Sequence, residues 1–192
     1  MFWELLSLWI KKKLSMENTV SPAKSGIPYG VLFGLIMALE IVITFVIGMK
    51  ALADTSFGVV INILNFLVLP LAFIYIGCTN YKNKLNSGFI SFGECLKIGV
   101  TIAIIAAIIY ASFSIIFNMI FPEFVEETMA IAKSTMVKQN PNMSSQELEM
   151  GISMMKKFAN PLIVFPVTLA MYSFIGLIHS LIIGAVVKNP KP

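Results

Sequence analysis

Glu40 is the only charged residue in the apolar run 27–49, IPYGVLFGLIMALEIVITFVIGM. A charged side chain at that depth of a bilayer costs at least about 2.5–3.5 kcal/mol on insertion scales, so such acids tend to carry function. Counting about 1.5 Å of rise per residue along straight helices brings other polar side chains to a similar depth. Asn65, Tyr110 and Tyr172 fall within a few residues' rise of Glu40, and Asn62 lies one helical turn further out. Thr44 follows Glu40 by four residues and shares its helix face. The expectation is an intramembrane polar cluster drawn from Glu40, Asn65, Asn62, Tyr110 and Tyr172. Its carboxyl would relay a proton or bind a cation. The plainer reading is a protonated Glu40 hydrogen-bonded to Asn65 as a strut between helices.

Cys78, Cys95 and His179 are the soft ligands at the opposite depth, and three such groups could hold a metal. No close pair such as C-x-x-C or H-x-x-x-H supports a metal centre, so a packing histidine and reduced thiols are the favoured reading. Met129, Met136, Met143, Met150, Met154 and Met155 crowd one polar stretch. They fall mostly on apolar helix faces, where adaptable packing or lipid contact explains them better than copper handling. The chain contains no Ser-His-Asp set, Walker loop or dinucleotide fingerprint. Neither a cofactor nor an enzymatic activity is expected.

The elements that must place these residues are membrane spans. Of 192 residues, 57% are hydrophobic and 12% charged, and the mean hydropathy is +0.85. Soluble domains carry about twice that charge. Four apolar runs, about 27–49, 57–78, 95–121 and 160–187, are each long enough to cross the hydrocarbon layer. The fold class expected is all-α, a four-helix transmembrane bundle. Gly30, Gly34 and Ala38 in the first run, and Gly176, Ser180 and Gly184 in the last, make small-residue faces for close helix packing. Pro70 should kink the second span. Ser91 and Glu94 form a capping box that opens the third helix.

Between the third and fourth spans, 122–159 reads as an amphipathic helical hairpin. Pro122 starts its first helix, Asn140-Pro141-Asn142 breaks it, and Ser144 with Glu147 caps the second. A segment 1–26 precedes the bundle and a tail 188–192 follows it. In 1–15 an apolar run comes before Lys11, Lys12 and Lys13, the reverse of a signal peptide. It reads either as an interfacial helix with Trp3 and Trp9 at headgroup depth, or as sequence upstream of a translation start at Met16. The second is favoured.

All 14 basic residues are Lys, which removes bidentate arginine clamps for phosphate. They gather before the first span, in the loop after the second and in the tail. The first loop holds Lys50 alone, and the hairpin balances four Lys with five Glu. By the positive-inside rule both termini are expected to be cytoplasmic, in a bacterial inner membrane. This charge orients the chain, and no nucleic acid is expected as a partner.

Several features in order resemble a bacterial family catalogued as domain of unknown function 4199. Gly30 and Gly34 lie in the first span, and Ser91-Phe92-Gly93-Glu94-Cys95-Leu96-Lys97-Ile98-Gly99 opens the third. Pro122-Glu123-Phe124 follows that span, then a Ser/Glu-rich helix, and Gly176-Leu177-Ile178-His179-Ser180-Leu181-Ile182 closes the fourth. The likeness covers about 24–190 and implies a four-span membrane protein without supplying an activity. The favoured function is a non-enzymatic partner subunit or envelope component, in contact with lipid and with itself or another membrane protein. The alternatives are an oligomeric transporter or channel for a small solute, ion or proton through Glu40, and an accessory to a lipid-modifying enzyme.

Overall fold

The computed structural model describes residues 3–4, 20–53 and 56–191. Apart from Trp3 and Glu4, the readings of 1–15 and of a start at Met16 lie outside the described residues. The described chain is helical and contains no strand, only an isolated bridge between Ile90 and Asn189. Helix α1 is Pro22–Ile47 and α2 the short Met49–Ala53. Helix α3 runs over Phe57–Leu85 and α4 over Phe92–Ile120. The hairpin is α5, Pro122–Gln139, and α6, Ser145–Phe158; α7 is Pro161–Val187. Among the described residues, helices α1, α3, α4 and α7 are long and apolar enough to cross a membrane.

Two boundaries extend past the apolar runs for local reasons. Helix α1 begins at Pro22 because the Ser21 hydroxyl accepts from the Lys24 amide at 3.3 Å and proline suits a first turn. Helix α3 continues through polar residues to Leu85, its last turn wound as a π-helix over Tyr81–Leu85. Both expected capping boxes are present, at Ser91 with Glu94 and at Ser144 with Glu147.

Helix α4 is the axis of the bundle, and its small side chains let α1 and α7 approach along its length. Gly26, Gly30 and Gly34 lie over the carbonyls of Ile98, Ile102 and Ala106; a Cβ on them would stand 2.8, 2.8 and 3.0 Å from those oxygens. Both series step by four residues, so one turn of α1 registers with one turn of α4. Across the other side, Gly176 meets Ala103, Ser180 meets Gly99, and Gly184 meets Phe92 and Cys95. The small-residue faces are therefore used within the chain and are not left open for a partner. Phe33, Met37, Ile74, Ile98 and Ile102 fill the interior between them.

The ends of the bundle differ. At one end the Ile90 and Asn189 backbones exchange two hydrogen bonds of 2.8 Å, and Lys82 Nζ donates to the Val187 carbonyl at 3.0 Å. At the other, a cluster of Phe45, Phe117, Phe121 and Phe124, with ring centroids 4.7–5.9 Å apart, seats the start of α5 on α1 and α4. The Lys50 amide donates to Glu127 at 3.2 Å and ties α2 to α5. The hairpin thus starts over the ends of α1 and α4, against α2.

Candidate functional site

Asn65 owes its position to Pro70. Proline has no N–H to give to the carbonyl four residues back, and the preceding turn widens into a π-helix over Leu64–Val68. There the Leu69 amide reaches back five residues, to Leu64. Asn65 turns inward and is 8% exposed, whereas its neighbours Phe66 and Leu67 face outward. On α1, Glu40 is half-buried and faces it. The Asn65 Nδ2 donates to Glu40 Oε2 at 2.5 Å. Thr44 spends its hydroxyl on the Glu40 backbone carbonyl at 2.7 Å, leaving the carboxylate to Asn65.

This pair borders a cavity of about 320 Å³ beneath the hairpin. Tyr110, Ser114 and Asn118 of α4 line it, and Phe124, Thr128 and Met129 of α5 border it, the Thr128 hydroxyl donating to the Phe124 carbonyl at 2.7 Å. No lysine is among the lining residues. The volume lies at the lower end of the range for small-molecule sites. Asn65 Oδ1 is buried and has no hydrogen-bond partner among the described residues. A carboxylate beside an unpartnered amide oxygen is a set of acceptors awaiting a donor or a cation.

The other candidate residues separate. Tyr110 lines the cavity, and Tyr172 packs behind it with ring centroids 6.3 Å apart. Tyr172 is buried against Phe33 and Phe66 and does not reach the lining. Asn62 is a correction to the expected cluster: it is exposed and borders, with Phe57 and Ile131, an adjoining depression that shares Thr44, Met49 and Ile61 with the cavity. One residue of π-winding after it turns Asn65, and not Asn62, inward. Cys78 and Cys95 are buried free thiols, with Cys78 Sγ 3.8 Å from the Cys95 carbonyl. His179 Nδ1 lies 2.7 Å from the Ile175 carbonyl of its own helix. No three His, Cys, Asp or Glu side chains among the described residues are grouped to hold a metal, so the soft-ligand triad is not assembled.

Sequence reasoning missed Ser114, Asn118 and Thr128. The first two follow Tyr110 at steps of four on one face of α4, a signal present in the sequence. Thr128 enters only because α5 folds back over the bundle, which no local pattern announces.

No curated protein and no solved structure matches the chain. A sequence model of the family described as "Protein of unknown function (DUF4199)" matches residues 28–189, which take in the cavity and nearly all of the four spans, and the chain belongs to that family.

Proposed function

We propose that the chain is a non-enzymatic, multi-pass protein of the bacterial cytoplasmic membrane. Its working part is the cavity under the hairpin, where Glu40 binds a small cation or takes up a proton. The observation that carries this reading is the Glu40–Asn65 pair bordering an open, largely apolar cavity, with Asn65 Oδ1 unpartnered beside the carboxylate. A strut between helices needs the hydrogen bond alone. It does not need a cavity bordered as well by Tyr110, Ser114 and Asn118. Transfer of a proton or cation between Glu40 and the cavity requires no nucleophile or cofactor.

The partner-subunit reading loses its main support, because Gly30, Gly34, Gly176, Ser180 and Gly184 are occupied by α4. What α1, α3 and α7 present outward is large and apolar, suited to lipid. Toward the far end Phe33, Ile74 and Ile102 fill the interior, so passage across the membrane requires a second conformation or a second copy of the chain. Lys24, Lys82, Lys84, Lys97, Lys188 and Lys191 share that far end, which supports placing both termini inside.

The test is proton uptake by sealed vesicles holding the purified protein and a trapped pH-sensitive dye, under an imposed potential. The expected result is flux that falls at least tenfold in Glu40→Gln while the variant's melting temperature is kept. A hydrophobic carbodiimide, which attacks protonated carboxyls in apolar surroundings, should modify Glu40 and be slowed by sodium or potassium. Wild-type flux in Glu40→Gln together with an unmodified Glu40 in the native protein would overturn the reading.

A further inference from the structure

Helix α6 carries apolar side chains on two faces, and the described residues cover only one. Leu148, Ile152 and Met155 are half-buried against α5, and Gly151 lies in contact with Met136, 3.4 Å from where a Cβ would stand. Met150, Met154 and Phe158 recur at steps of four on another face and are 58%, 56% and 52% exposed. Nothing in the bundle or the function proposed above uses them.

The place of this stripe limits what covers it. Helix α6 ends at Phe158, and α7 enters the membrane at Pro161 with Leu162 fully outward at 85% exposure. The stripe thus runs into the lipid-facing surface of a span. The charges along α6 are polarised in the same sense. Glu147 and Glu149 sit in its first turns, and Lys156 and Lys157 in its last turn, beside the point of entry. An apolar stripe flanked by lysines at the membrane boundary fits acyl chains below and anionic headgroups around it. Lysine stems reach along apolar surface while the ammonium stays with the headgroups.

We infer that α6 is a membrane-surface helix, with Met150, Met154 and Phe158 set in the lipid and Lys156 and Lys157 engaging anionic headgroups. The test uses the full chain with Trp3→Phe and Trp9→Phe, reconstituted in vesicles of phosphatidylcholine and phosphatidylglycerol brominated in the acyl chains. A tryptophan introduced by Met154→Trp should be quenched by the brominated lipid at least twice as strongly as one introduced by Glu149→Trp. Met150→Trp, on the same face, gives an independent reading should Met154→Trp fail to fold. Adding Lys156→Gln and Lys157→Gln should lower the quenching in phosphatidylglycerol and leave it unchanged in phosphatidylcholine alone. Equal quenching at both positions, with free access to aqueous iodide, would overturn the inference in favour of solvent. A blue-shifted emission insensitive to brominated lipid, with a cross-linkable dimer, would overturn it in favour of a second copy.

Discussion

An ionised Glu40 at this depth carries an insertion cost of at least about 2.5–3.5 kcal/mol, and a hydrogen bond to a charged group returns about 1.5–3 kcal/mol. The Asn65 amide therefore offsets much of the cost without removing the incentive to bind a cation or proton. Proton uptake by Glu40 leaves this hydrogen bond in place, because a neutral carboxyl keeps an oxygen that accepts from the Asn65 NH₂ and gains an O–H that can donate to an acceptor in the cavity. The expected consequence for stability is asymmetric. Glu40→Gln keeps a hydrogen-bonding partner and should melt within about 1 kcal/mol of the native protein, whereas Asn65→Leu should lose about 1–3 kcal/mol. Glu40→Met combined with Asn65→Leu should recover most of that loss, because two matched apolar groups leave nothing unpaired. Melting in detergent checks all three, and a double variant no more stable than Asn65→Leu would show that the two side chains do not act as a unit.

Two elements hold their shape through contacts that a single substitution can reach. The π-turn over Leu64–Val68 exists because Pro70 withholds an amide. Pro70→Ala returns that amide and lets the helix rewind to an ordinary α-turn, which rotates Asn65 away from Glu40. The variant should melt at or above the native temperature and yet react with carbodiimide at a rate changed several-fold, a trade of function for stability. Unchanged reactivity would mean that the π-turn is fixed by packing and not by the proline. In the bundle axis, a Cβ on Gly99 would collide with the Ser180 side chain. Gly99→Ala should therefore cost about 1–3 kcal/mol by overpacking, and Ser180→Gly in the same chain should restore most of it. At the surface, Glu147 accepts from the Ser144 amide and hydroxyl, each at 2.8 Å, and those bonds hold its carboxyl below the ordinary value of 4.5. A depressed carboxyl contributes stability that is complete above 4.5 and is lost as pH falls through its lower folded value. Amide exchange in α6 should accelerate over that acid window alone, and Glu147→Gln should abolish the dependence while keeping a cap.

For the molecule as a whole, what could be read from the sequence was whatever is local or periodic. Runs of apolar residues reveal spans, and Ser91 with Glu94 or Ser144 with Glu147 reveal helix starts, because each signal is complete within a few residues. Hydropathy marks the depth of the hydrocarbon and not the length of a helix, so the turns before Ile27 and after Cys78 escaped it. The spacing of Gly30, Gly34, Gly176 and Gly184 disclosed close packing but not the neighbour, which is α4 in every case. Depth arithmetic brought Glu40 and Asn65 together but misplaced Asn62, since a π-turn shifts the face that a straight helix would present. The orientation in the membrane follows from another whole-chain quantity, the distribution of lysine, and it decides which compartment the cavity faces. With six lysines and the paired tail at one end, and a hairpin of four lysines against five glutamates at the other, the positive end is expected inside. In a chain carrying Cys78→Ala and Cys95→Ala, an Asn140→Cys thiol at the hairpin tip should react with an impermeant maleimide in intact spheroplasts. A Lys188→Cys thiol should react only after the membrane is opened. The opposite pattern would place the cavity on the cytoplasmic side, where Glu40 would load from the cell interior and no longer meet protons or cations arriving from outside.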